Sequence, residues 1–208
     1  METPNVWLNW AVELQSLAQA GLYYSRDPYD LERFRRIREI SAEIVSRQAQ
    51  IPKEQVIDLF CGETGYQTPK LDSRAAVFRD GKILLVQESS GLWALPGGWV
   101  DAGLSVKENV VKEVWEEAGL HVTAERMIAV QDRDKHNFPV SAYKICKIFV
   151  LCTAHGGSFR KNPETIASGY FSRGALPPLA GEKTNEEQVE MCFDAYADPD
   201  WSVLFDLL

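Results

Sequence analysis

Glu113, Glu116 and Glu117 stand at i, i+3 and i+4 within the stretch LSVKENVVKEVWEEAGL, Leu104 to Leu120, which puts three carboxylates on one helix face. Ser105 followed by Glu108 has the spacing of a capping box and Gly119 that of a C-terminal stop. Val106, Val110, Val114 and Ala118 fall on the other side as a core face. Three like charges in one turn repel one another, and no basic residue lies on their stripe. Either the face is simply solvated, or a cation neutralises it. The loop that feeds the helix, LPGGWVDAG from Leu95 to Gly103, favours the cation, because its glycines let carbonyl oxygens approach a helix start. Carboxylates with free carbonyls make a hard-oxygen site suited to Mg²⁺ or Mn²⁺ and poor for soft metals.

In register with these residues the chain resembles the signature of the Nudix hydrolases: Gly98, Glu113, Val114, Glu116, Glu117, Gly119 and Leu120 match. Two positions depart, Leu104 where the family has Glu and Lys112 where it has Arg. In the family those two pair and brace the loop against the helix. Losing both leaves no orphaned charge. The resemblance implies Gly97 (through its carbonyl), Glu113 and Glu117 as metal ligands, with Glu116 a further ligand or the residue that orients water. It places the general base in this cluster or in the loop before the last strand, where Glu164 is the only carboxylate of Lys161 to Ala167. Glu164 reads equally as a solvent-exposed loop acid.

These residues need a scaffold, and 208 residues with 45% hydrophobic content can bury a full core. A net charge of −8 argues against DNA and anionic membranes as partners. No secretory leader and no run of about 18 apolar residues is visible, so a cytoplasmic protein is expected. Cys61, Cys146, Cys152 and Cys192 form no CxxC pair and read as reduced thiols.

From Lys70 on, the pattern is of strands. Ala75–Phe78 and Ile83–Val86 flank Asp80-Gly81, a hairpin signal, and Leu92–Leu95 delivers the glycine-rich loop. Met127–Val130, the apolar Tyr143–Cys152, read as central, and Ala167–Phe171 follow. Thr184 with Glu187 begins a last helix. Before Lys70 the chain is helical: a first helix ended by Gly21, a second begun by Asp27-Pro28 with a face of arginines, and a third between Pro52 and Gly62. We therefore expect an α+β protein in two parts, a helical N-terminal domain over residues 1–65 and a mixed sheet with helices on both faces over residues 66–208. Closure of that sheet into the Nudix α/β/α sandwich is what the resemblance implies.

The polar run Gln131 to Asn137 after a strand is either a ligand-facing loop or an ordinary charged turn. In the first case Lys135 and His136 meet phosphate or a head group and Asp132 a ribose hydroxyl or an amine; Arg74, entering the first strand, is placed with them. His121 and His155 lack ligand spacing.

The N-terminal block WLNWAVELQSLAQAGLYYSRDPYDLERFRRIREIS, together with DLFCGETGYQTPKLDSRAAVF, WALPGGWVD, DRDKH and LPPL, is similar to a Nudix subfamily that carries its own helical N-terminal domain. Its members hydrolyse nucleoside diphosphates linked to a second moiety, and it shares the changes at Leu104 and Lys112. The resemblance implies a Mg²⁺-dependent pyrophosphohydrolase acting on CDP-choline first and ADP-ribose second, and a homodimer joined through the helical part. The alternatives are a Nudix-fold module that binds nucleotide without turnover, and an enzyme acting on RNA 5′ ends, which would call for a basic groove.

Overall fold

The computed structural model describes residues 6–50, 52–62, 65–141 and 144–206. It divides into two compact units, residues 1–69 with 140–144 and residues 70–139 with 145–208.

The first unit holds α1 (Val6–Tyr24), α2 (Pro28–Ala49) and α3 (Lys53–Phe60). Asp27 caps α2, its carboxylate accepting the N–H groups of Tyr29 and Asp30, with Pro28 at the first helical position where a missing N–H costs nothing. Ala11, Val12, Ala42, Val45, Val56 and Cys61 form its core. Gly21 does not end the first helix, which runs on to Tyr24. It serves packing instead, since a Cβ at Gly21 would overlap the ring of Phe34. The arginine face carries solvated ion pairs, Arg33 with Asp30 and Arg36 with Glu39 and Glu43.

The second unit is built on β1 (Lys70–Arg79), β2 (Lys82–Glu88), β3 (Trp93–Ala94), β4 (Gly97–Trp99), β5 (Leu120–Asp132), β6 (Ile145–Gly157), β7 (Thr165–Ser172) and β8 (Leu204–Phe205), with α4 (Val106–Ala118), α5 (Arg133–His136) and α6 (Glu186–Ala197). Its sheet has the order β3-β2-β1-β6-β5-β8, with β4 added to β1 and β7 to β2. The pairs β1–β6 and β5–β8 are parallel and the others antiparallel. The hairpin between β1 and β2 turns on Asp80 and Gly81, both at positive φ as a two-residue turn of this hand requires.

β1 is buried on both faces, so alternate residues feed two cores. Ala75 and Val77 join Val110, Val114 and Ala118 of α4, whereas Ala76 joins Ile83, Leu85, Ile128, Phe149 and the α6 residues Val189 and Cys192. Helices thus cover both faces of a mixed sheet, and the class is α+β with an α/β/α sandwich. Removing each such valine from water is worth about 1.5–2 kcal/mol, which fixes the side of α4 that faces away from the core.

Several elements differ from expectation: β4 and β8 were not foreseen, and β6 runs past Cys152 to Gly157. β5 begins directly at Leu120, not at Met127. The run after it contains the one-turn helix α5. The cap of α6 is Asn185 in a capping box with Gln188, not Thr184, because the buried Thr184 hydroxyl accepts the N–H of Leu95. Tyr143 lies outside the described residues.

Candidate active site

The capping box of Ser105 and Glu108 starts α4, and Gly119, in the left-handed conformation, ends it by returning its N–H to Trp115. Between them Glu113 is buried, Glu116 exposed and Glu117 half-buried. Gly97 meets this helix edge-on. Its N–H donates to Glu117 Oε2 at 2.8 Å, its φ is +143°, and a Cβ there would overlap the Ser73 carbonyl, so only glycine brings the backbone this close. A Cβ on Gly98 would stand 3.1 Å from Glu113 Oε2. Asn109, fully buried, ties the loop down: it accepts the N–H of Asp101 at 3.1 Å and donates to Ser73 Oγ at 3.0 Å and the Trp99 carbonyl at 3.4 Å.

Electrostatically the ridge is crowded. Burial raises the Glu117 carboxyl to about 7; the Gly97 N–H and Arg74 pull it down, while Glu113 and Glu164 push it up. Glu113 is raised too, by burial first, against Lys112, with Glu116 and Glu164 adding repulsion. The expectation that no basic residue compensates the ridge is corrected here. Lys112 reaches Glu116 at 2.9 Å, Asp101 at 3.3 Å and Glu113 at 3.4 Å, because its long stem lies one turn before Glu116. Through Asp101 it braces the loop to the helix without the partner that Leu104 cannot supply.

Among the described residues no three His, Cys, Asp or Glu side chains stand ready to enclose a metal ion. The donor set nonetheless fits a hard dication: two desolvated carboxylates that repel each other, a third held by an exchangeable lysine, and Glu164 whose charge reaches both buried ones.

Beneath the ridge Arg74 is buried and fully engaged, donating to both oxygens of Asp72 at 2.6 and 2.7 Å and to the Leu95 carbonyl at 3.2 Å. Burial opposes ionisation of Asp72, yet Arg74, Lys147 and Lys183 hold it below the usual carboxylate range. Lys147, opposite Asp72 across the β1–β6 ladder, is buried and donates to the Lys183 carbonyl and to Asn137 Oδ1 at 3.4 Å. Burial, then Arg74, lowers its ammonium to about 7.

Asp132, Lys135 and His136 lie at the same end of the sheet, since Asp132 pairs with Cys146 and Gln131 with Lys147. Asp132 caps α5 by accepting the N–H of Asp134, and its own N–H donates to Asp206. His136 Nε2 is 2.6 Å from Asp206 Oδ1. Among the described residues no hydrogen bond joins Asp132 or His136 to the acidic ridge; they bond Asp134 and Asp206 instead. Trp115 stacks on His121 at 4.3 Å, and His155 bonds Thr123. A hollow of about 420 Å³ opens beside Glu116, between that stacked pair and Arg160, Lys161 and Asn162.

Glu164 is exposed on the β6–β7 connection, and two residues not anticipated hold it there. Asn162 donates to the Glu116 carbonyl at 2.9 Å, and the buried Thr165 hydroxyl donates to the Glu117 carbonyl at 2.8 Å. Asn109 was the other residue missed. Its chain neighbours Lys107, Glu108, Lys112 and Glu113 are polar too, and its partner Ser73 lies 36 residues away, so nothing local singled it out. Asn162 and Thr165 act across 46 and 48 residues and left no local signal either.

Among the described residues no helix is long and apolar enough to cross a membrane. Residues 69–192 match the model of the NUDIX domain, and residues 5–60 that of the UDP-X-like, N-terminal oligomerisation domain. A putative ADP-ribose pyrophosphatase of Bacillus subtilis is 42% identical over 96% of this chain and 97% of its own. The crystal structure of an ADP-ribose pyrophosphatase from Streptococcus suis is 52% identical with a TM-score of 0.64, covering 67% of this chain and 100% of its own. The crystal structure of a UDP-X diphosphatase is 28% identical with a TM-score of 0.64, covering 96% of this chain and 98% of its own.

Proposed function

Because the chain belongs to the Nudix hydrolases and carries the N-terminal domain of the UDP-X-like group, we propose that it cleaves the diphosphate of a nucleoside diphosphate linked to a second moiety. The products are a nucleoside monophosphate and a phosphorylated second moiety. The observation that carries this is the pairing of two desolvated, mutually repelling carboxylates, Glu113 and Glu117, with a glycine backbone pressed against one of them.

ADP-ribose comes first among the substrates, since the names of two relatives similar over their full length carry it. CDP-choline, favoured by the sequence, comes second. The Gly97 carbonyl, Glu113 and Glu117, joined by Glu116 once Lys112 lets it go, would hold Mg²⁺ or Mn²⁺. Such an ion would neutralise the diphosphate and make the attacking water more acidic. Glu164 takes the proton of that water. Its oxygen bonds to one phosphorus while the bond from that phosphorus to the bridging oxygen breaks, and the bridging oxygen leaves with the other phosphate. Arg74 supports the ridge from below through Asp72 and Leu95. Asp132, Lys135 and His136 meet the far end of the substrate. Residues 1–65 act as a separate helical domain that joins two copies in the cytoplasm.

The test is to incubate the purified protein with Mg²⁺ and, separately, ADP-ribose, CDP-choline, NADH, capped RNA and nucleoside triphosphates, and to separate the products. AMP with ribose 5-phosphate, or CMP with phosphocholine, is expected. Turnover of triphosphates alone would overturn the substrate class, and binding without turnover would make the chain a nucleotide-binding module.

A further inference from the structure

We propose that Asn162 and Thr165 form a clasp that positions Glu164 over the carboxylates of α4, so that both are positioning residues for the hydrolysis proposed above, on which this inference rests. The last turn of a helix leaves carbonyls without intrahelical partners. In α4, Gly119 takes the carbonyl of Trp115, and the next two carbonyls, of Glu116 and Glu117, take the side chains of Asn162 and Thr165. Asn162 Nδ2 also donates to Thr165 Oγ1 at 2.7 Å, joining the two halves of the clasp. Asn162 Oδ1 accepts the N–H of Glu164 at 3.0 Å and of Thr165 at 2.8 Å, and a backbone bond from Asn162 to Thr165 closes the turn.

A turn around an exposed glutamate needs only the bonds made by Asn162 Oδ1 and the backbone. The donors that cross to α4 do something else: they fix Glu164 to the backbone of the two residues whose carboxylates it works with. Glu117 is thereby held at both ends, its carbonyl by Thr165 and its carboxylate by the Gly97 N–H. The charge of Glu164 is felt by Glu113 and Glu117, as a water-activating carboxylate at their rim requires. Thr165 is fully buried, so its hydroxyl donates to Glu117 without competition from solvent.

The experiment compares Thr165→Val, which keeps shape and loses the donor, with Thr165→Ser, which keeps the donor. Asn162→Asp keeps the acceptor bonds and loses both donor bonds, to the Glu116 carbonyl and to Thr165 Oγ1. Each is made alone and with Glu164→Gln in the full chain, and assayed with Mg²⁺ and ADP-ribose or CDP-choline. T165V and N162D should lose kcat by about 10- to 100-fold with KM changed less than about threefold, T165S should stay close to wild type, and neither loss should add to that of E164Q. Equal losses in the E164Q background, a T165S as slow as T165V, or an E164Q with wild-type kcat would each overturn the assignment. Amide exchange gives a readout apart from catalysis. The Glu164 and Thr165 N–H groups should exchange slowly in the wild type and faster in Asn162→Ala, and fast exchange in the wild type would show that the clasp does not form. A wild type that hydrolyses neither substrate would sink the reaction and with it the role, and slow exchange in that same protein would tell this apart from a missing clasp.

Discussion

Glu117 Oε2 and the Gly97 N–H are 2.8 Å apart, so one carboxylate oxygen is bound to the loop that approaches the helix and the other is left for chemistry. Glutamine can make the same bond through its amide oxygen. Glu117→Gln should therefore keep the fold and, at pH 5, its melting temperature while losing at least about 100-fold in Mg²⁺-dependent kcat, as expected when a charge aimed at the transition state is removed. An unchanged kcat in this variant would rule out Glu117 as a metal ligand.

The same carboxyl makes stability depend on pH. Its value rises from 4.5 in an ordinary glutamate to about 7 in the fold, so the native state binds the proton more tightly than the unfolded chain. The stability it contributes is present in full below pH 4.5 and is lost as pH rises through 7, by up to about 3 kcal/mol. Chelator-treated protein should melt lower at pH 7.5 than at pH 5, and Mg²⁺ should raise the melting temperature more at the higher pH. The difference between wild type and E117Q isolates the group, and parallel pH curves for the two would refute it.

Lys147 works in the opposite sense. With its ammonium lowered from 10.5 to about 7, the unfolded chain binds the proton more tightly, so stability from this group grows as pH rises from 7 to 10.5. Lys147→Met fills similar volume without a charge to desolvate, and Asn137 Oδ1 still receives the amide of Gln188. The variant should match wild type or gain about 1–3 kcal/mol at pH 6 and lose the rise above pH 7 in urea titrations. Destabilisation at pH 6 would show that the ammonium contributes to the fold.

Asn109 is the hinge point between loop, sheet and helix. Asn109→Ala leaves the Asp101 N–H and Ser73 Oγ without their partner, at a cost of about 2–3 kcal/mol. Because the loop carrying Gly97 is then looser, kcat should fall together with the melting temperature. Loss of stability with full kcat would separate the brace from the chemistry.

What could be read in advance was whatever the chain arranges locally. The ridge Glu113, Glu116, Glu117, the capping box at Ser105 and the Asp80-Gly81 hairpin depend on spacings of four residues or fewer, and the structure has them as expected. The ion pair of Lys112 with Glu116 is equally local, at i and i+4, and was readable as well. Asn109 reaching Ser73 and Thr165 reaching Glu117 depend on strands brought together by the sheet, so no window of sequence contains them. The misplaced start of β5 has the same origin. Its first residues, Leu120, Val122 and Ala124, alternate inward among polar neighbours, yet only their pairing with β6 makes them a strand.

Gly21 gives the last test, because two rules disagree about it. By helix propensity Gly21→Ala in the interior of α1 should stabilise by about 1 kcal/mol. By packing it should do harm, since the new methyl must displace the Phe34 ring from the contact between α1 and α2, and overfilling of this kind costs about 1–3 kcal/mol. Three ring atoms lie 2.4 Å from where the new methyl would stand, so the whole half-buried ring must move, and packing should win. The variant should then melt earlier and, if residues 1–65 join two copies, dissociate at higher protein concentration in light scattering, while kcat of the remaining folded protein holds. A more stable G21A would show that Phe34 yields freely and that the glycine marks no close contact.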